Sequence, residues 1–168
     1  MKKILFFVTI LFMAFTFIAC ANPYIGKLVK KDMTRKIQTP SGKNHRFILN
    51  HLIVDYNYST YPDQQMIIVK GTMDDRQQDA QAHFVKSDWD LKEAHLDIYF
   101  LNAERKVVDY CIKNFPLGHF ALPYPFEKKC RFNPSYRNIA LAYKYKYVQF
   151  AGGSSEVVKI YQHRLDIK

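Results

Sequence analysis

The sequence predicts an all-β protein, an antiparallel β-sandwich of about seven strands. Three observations carry that expectation. Short segments rich in β-branched and aromatic residues alternate in polarity with period two. Clusters of Pro, Gly, Asn and Asp separate them where turns are needed. The residues are 48% hydrophobic and 15% aromatic, which suits a packed body and not a disordered chain. Nothing repeats at a longer fixed period, so a solenoid or propeller is unsupported.

The first strand spans Phe47–Tyr58. Ile48, Asn50, Leu52, Val54, Tyr56 and Tyr58 share one parity, mostly apolar, while His51, Asp55 and Asn57 occupy the other. Thr60–Gln65, with Pro62-Asp63, is a turn, and Met66–Thr72 is the second strand. Gly71 within it marks a bulge or a close approach of another chain segment. Asp74–Glu93 is polar. There Ser87-Asp88-Trp89-Asp90 is placed to cap a short helical turn through Glu93, with Trp89 plugging one end of the core. Leu96, Ile98 and Phe100 alternate with Asp97 and Tyr99 in the third strand. A turn over Asn102–Lys106 leads to the fourth, Val107–Lys113. Pro116, Gly118, Pro123 and Pro125 make Asn114–Pro125 a loop. Phe126–Phe132 is the fifth strand, Asn133-Pro134-Ser135 a turn, and Ile139–Phe150 the sixth and longest strand. Gly152-Gly153-Ser154-Ser155 turns into the last, Val157–Ile167.

Ahead of this body lies a different kind of segment. Lys2 and Lys3 precede an apolar run, Ile4–Ile18, broken only by Thr9 and Thr16, and Phe17-Ile18-Ala19-Cys20 follows. A basic start, an apolar run and a small residue before the cut are the parts of a secretory signal. A cysteine directly after that small residue resembles a bacterial lipobox, although Phe17 stands where leucine is commonest. The resemblance implies acylation of the Cys20 thiol, removal of residues 1–19 and a lasting membrane attachment through several acyl chains. An ordinary signal with a chance cysteine is the plainer alternative. A membrane span is disfavoured, because about 15 apolar residues fall short of the roughly 20 a spanning helix needs. Ala21, in place of aspartate, resembles the pattern of lipoproteins sent to the outer membrane of Gram-negative cells, on its periplasmic side. The expected organisation is therefore a signal peptide over 1–19, the lipidated cysteine and a flexible basic tether over 20–46, and the sandwich domain over 47–168. Asn22-Pro23, Gly26 and Thr39-Pro40-Ser41-Gly42 are the breakers that mark the tether.

Charge is unevenly spread. The chain carries +10, and +8 without Lys2 and Lys3. Between Lys27 and Arg46 seven basic residues face only Asp32, while Asp55–Asp97 holds nine acids against four bases. From Glu104 onward there are twelve bases against five acids. The first basic run suits attraction to anionic headgroups beside the anchor, at about 1 kcal/mol per basic residue near such a surface. It equally suits a solvated linker. An envelope location leaves no nucleic-acid partner for these charges.

With Cys20 acylated, Cys111 and Cys130 remain as a pair. An even remainder in an oxidising compartment favours a disulfide. Folded as an antiparallel hairpin centred near His119 and Phe120, the flanking strands place the two residues opposite one another. The loop of about 18 residues corresponds to roughly 3 kcal/mol of stabilisation. Two buried free thiols are the alternative.

The passage Leu96-Asp97-Ile98-Tyr99-Phe100-Leu101-Asn102-Ala103-Glu104-Arg105-Lys106-Val107-Val108 resembles one found in small bacterial envelope lipoproteins with immunoglobulin-like sandwiches. So do Pro125-Phe126-Glu127 and Ile139-Ala140-Leu141-Ala142-Tyr143. Tyr136 sits where a tyrosine corner belongs. The resemblance implies an immunoglobulin-like fold and little about activity.

Motifs that carry chemistry are sparse. In Tyr143-Lys144-Tyr145-Lys146-Tyr147 the three tyrosines share one face of a strand and the lysines the other. They form either an exposed strip that binds a partner or polysaccharide, or, with Ile139 and Leu141 on the same parity, part of the core. Asp74, Asp75, Asp79, Asp88 and Asp90 lack the spacing of a calcium loop. The six histidines (45, 51, 83, 95, 119 and 163) show no zinc-ligand pattern. There is no Gly-x-Ser-x-Gly elbow and no glycine-rich phosphate loop. The reading is thus of a lipid-anchored, non-enzymatic interaction or accessory module of the cell envelope, with an envelope protein as partner and no catalytic residue, metal or cofactor. Two alternatives stand beside it. One is a structural or inhibitory component of a secretion or surface-assembly system. The other is an envelope glycan-acting enzyme, which paired carboxylates about 5–10 Å apart in a cleft would favour.

Overall fold

Leu49 and Leu52 are both buried, yet they lie three positions apart and so on opposite parities. A strand cannot run through that change. In the computed structural model, which describes residues 22–50, 52–75, 90–116, 122–151 and 155–168, the chain reverses there, and the Leu49 N–H donates to the Leu52 carbonyl (2.8 Å). The single strand expected over Phe47–Tyr58 is therefore two, β2 (Ser41–Ile48) and β3 (Leu52–Tyr61). Phe47 and Leu49 point inward from one arm, Leu52, Val54, Tyr56 and Tyr58 from the other, and Ile48 is 58% exposed.

Among the described residues nine strands form two antiparallel sheets packed as a sandwich. The other seven are β1 (Arg35–Lys36), β4 (Met66–Asp75), β5 (Asp90–Leu101), β6 (Val107–Asn114), β7 (Tyr124–Arg131), β8 (Asn138–Ala151) and β9 (Ser155–His163). One sheet has the order β2-β3-β4-β7. The other runs β6-β5-β8, with β1 and β9 both pairing with β8. Between the sheets lie Val54, Tyr56, Ile67, Val69 and Phe126 from the first and Leu96, Ile98, Phe100, Leu141 and Tyr145 from the second. Gly71 fulfils the close-approach expectation. A Cβ there would meet the Asp55 carbonyl oxygen at 2.2 Å and the Phe126 ring at 2.9 Å.

Several expectations need correction. Glu93 lies within β5 and not in a helical turn, because Ala94, Leu96 and Ile98 bury at period two from that point on. Trp89 and the turn over residues 152–154 lie outside the described residues. The tether is corrected from residue 22 onward. The Tyr24 ring packs edge-on against Tyr99 (5.4 Å), Val29 is fully buried, Leu28 and Val29 bridge to Lys106 and Ile167, and β2 begins at Ser41. The physical reason is a second apolar surface. Tyr99, Leu101, Val107, Ala140 and Ala142 line the outer face of the β5–β8 sheet, and Val29 and Leu165 cover it. Breakers and charges hide this in the sequence, since a few apolar residues suffice to dock an extended segment.

Candidate functional site

A cleft of about 580 Å³ opens where this docked segment meets one end of the larger sheet. Among the described residues its wall carries Lys31, Lys36, Arg105 and Arg137, and no acid. Each cation comes from a different place in the chain. Lys31 lies in a 3-10 turn, Lys36 in β1, Arg105 in the β5–β6 turn and Arg137 just before β8. Backbone hydrogen bonds knit these pieces together: Ile37 N–H to the Arg137 carbonyl (2.8 Å), Arg137 N–H to the Leu101 carbonyl (2.8 Å) and Val29 N–H to the Arg105 carbonyl (3.0 Å). The buried Asn138 amide adds a bond to the Asn102 carbonyl (3.0 Å). The Arg137 guanidinium donates to the carbonyls of Pro134 and Tyr136, which fixes its position. Among the described residues none of the four cations forms an ion pair.

Arg105 adopts φ 64° in the turn after β5. The left-handed region favours glycine and costs a larger residue about 1 kcal/mol or more. Asn102 holds the turn closed, its carbonyl accepting from Arg105 N–H (3.1 Å) and its side chain from Lys106 N–H (2.9 Å). A cation therefore occupies a position where glycine is the less strained choice.

A second polar group lies on the outer face of the same sheet. Glu93, His95, Asp97 and Tyr99 alternate along β5. Lys144 Nζ donates to Glu93 Oε2 (2.6 Å), His95 lies 3.4 Å from Glu93 and 3.6 Å from Asp97, and the Tyr99 hydroxyl donates to Asp97 (3.4 Å). Burial is the largest influence on Asp97 and raises its pKa, against the opposing pull of His95. Burial likewise pushes the Tyr99 hydroxyl up. Along Lys144–Glu93–His95–Asp97–Tyr99 the Lys144–Glu93 pair and the Tyr99–Asp97 bond are made, while Asp97 Oδ1 is buried without a hydrogen-bond partner among the described residues. Among the described residues no three His, Cys, Asp or Glu side chains converge to hold a metal ion.

The structure places the residues singled out from sequence as follows. Cys111 and Cys130 are joined, with Cα atoms 5.9 Å apart. The hairpin drawn around them is corrected, because β6 is an edge of one sheet and β7 an edge of the other. The bridge is thus a staple between the two sheets. Tyr143, Tyr145 and Tyr147 are buried in the inter-sheet core, at 2%, 0% and 5% exposure. They are core residues and not a binding strip, since their parity faces the opposite sheet. Tyr136 stands at the β7–β8 corner, stacked on Phe100 (4.9 Å). Its hydroxyl donates to the Asp109 carboxylate on β6, where a tyrosine corner bonds backbone. Cys20 lies outside the described residues.

Sequence reasoning caught Lys31 and Lys36 as part of a basic run and missed Arg105 and Arg137. No linear signal joins these, because the cleft exists only once the segment has docked. The β5 network did have a signal, the period-two order Glu-x-His-x-Asp-x-Tyr. We found no match to this chain among protein-family models, curated proteins or solved structures.

Proposed function

We propose that this chain is a non-enzymatic binding module of a bacterial cell envelope, an immunoglobulin-like sandwich anchored through lipid on Cys20. The observation that carries the binding role is the cleft walled, among the described residues, by four cations and no acid. Its size falls in the range of small-molecule sites, roughly 300–1,000 Å³. The Cys111–Cys130 bridge favours an oxidising compartment, as an exported protein requires. Strand order favours the immunoglobulin-like reading. With β3 to β9 taken as A, B, C, C′, E, F and G, the sheets read A-B-E and G-F-C-C′, with β2 added beside A.

Asn22 is close to the body, its side chain accepting from the Tyr24 N–H (3.0 Å) while Tyr24 packs on Tyr99. Cys20 is two residues earlier, at most about 7 Å of extended chain. An acylated Cys20 therefore holds the sandwich close against the bilayer, where a tether of 27 residues would let it roam. Cell fractionation with metabolic fatty-acid labelling tests the anchor. Cys20→Ala should abolish both label and membrane attachment, and label that persists in the variant refutes the proposal.

A further inference from the structure

We propose that the cleft of Lys31, Lys36, Arg105 and Arg137 receives a phosphate group, presented by a phospholipid of the membrane that carries the anchor. The chemistry rests on the cleft alone, and the lipid source rests on the envelope reading above.

Two guanidiniums and two ammoniums converge from four chain segments, with no carboxylate among the described residues of the wall to neutralise them. Planar forks with point charges between them suit the tetrahedral, multiply accepting oxygens of a phosphate. One fork is already positioned, because the Arg137 guanidinium is held by two backbone carbonyls. Another stands on a residue at φ 64°, where glycine would be less strained. Strain retained at one residue points to a use for its side chain. Thr34, Asn138, Ile37 and Ala103 also line the cleft, and the last two offer an apolar surface to the carbon part of a headgroup. About 580 Å³ is more than a bare phosphate fills.

The lipid source follows from reach. Val29 donates to the Arg105 carbonyl and so lies at the cleft's edge. It lies nine positions after Cys20, at most about 32 Å of chain. An acylated Cys20 keeps the cleft within that distance of headgroups at all times.

The test uses the full chain purified in detergent and titrated by calorimetry. The probes are inorganic phosphate, dihexanoyl phosphatidylglycerol and, as the zwitterionic control, dihexanoyl phosphatidylcholine. The variants are Arg105→Gly and Arg137→Gln. Arg105→Gly relieves the left-handed strain, so a loss of binding in it does not come from unfolding. The expected result is that phosphatidylglycerol binds more tightly than inorganic phosphate and phosphatidylcholine, and that each variant weakens it roughly tenfold or more. Binding of inorganic phosphate alone, sensitive to both variants, upholds the phosphate cleft and overturns the lipid source. Absence of binding by either anion, or affinities that both variants leave unchanged, overturns the proposal. Failure of the envelope reading shows separately, as a chain without fatty-acid label.

Discussion

Replacing Cys111 and Cys130 together by alanine should lower the free energy of unfolding by about 3 kcal/mol. The bridge spans a sequence separation of 19 residues. A closed loop of that length removes about 11 cal/mol/K from the unfolded chain, or roughly 3 kcal/mol at 25 °C. The fold has no ready substitute for it. β6 and β7 are edges of different sheets, so no ladder of hydrogen bonds joins them once the sulfurs are gone. In a chain of this size the loss corresponds to a fall of about 6–12 °C in Tm. Urea unfolding followed by tyrosine and tryptophan fluorescence is the assay. Two changes are expected together, a lower midpoint and a steeper m-value, because the unlinked chain expands and exposes more surface when unfolded. A variant within about 1 kcal/mol of the parent, at unchanged m, would refute the argument that the bridge restrains the unfolded chain. Free alkylation of both thiols without reduction, in protein taken from its native compartment, would refute the bridge itself.

Three further predictions concern packing and pH. Gly71→Ala should cost about 1–3 kcal/mol by overpacking, since the new methyl meets backbone oxygen at 2.2 Å, and a neutral result in urea unfolding would contradict that contact. Val29→Ala should lower stability by about 2 kcal/mol, because a fully buried side chain is cut back on the outer face of the larger sheet. An unchanged Tm would return the segment before β1 to the status of a tether. Burial holds His45 and His163 below the usual histidine pKa of 6.5. The unfolded chain therefore protonates first, so their contribution to stability is full above pH 6.5 and declines as pH falls through that value toward the lower folded ones. Urea midpoints should drop between pH 7 and 5, and His163→Gln should flatten that slope; an equally steep slope in the variant would show that His163 has no part in it.

The sequence by itself determined the all-β class and most of the strand positions. Period-two burial is a local property, and Leu96-Asp97-Ile98-Tyr99-Phe100 displays it to any reader of the chain. The parity of Tyr143, Tyr145 and Tyr147 with Ile139 and Leu141 likewise pointed to the core, and an even cysteine remainder pointed to the bridge. One misreading was avoidable, since the inward parity switches between Leu49 and Leu52 and that switch marks a hairpin. Tertiary structure alone decided the rest. β6 and β7 belong to different sheets because β7 pairs with β4, a choice made by residues more than fifty positions away in the chain. The segment 22–34 docks because the larger sheet is apolar on both faces near Tyr99 and Ala140, and alternation along β5 records only that Tyr99 faces away from the first core. The cleft comes last in this order. Arg105 and Arg137 are unremarkable in sequence, and their charges converge with those of Lys31 and Lys36 only after long-range pairing has closed the chain on itself.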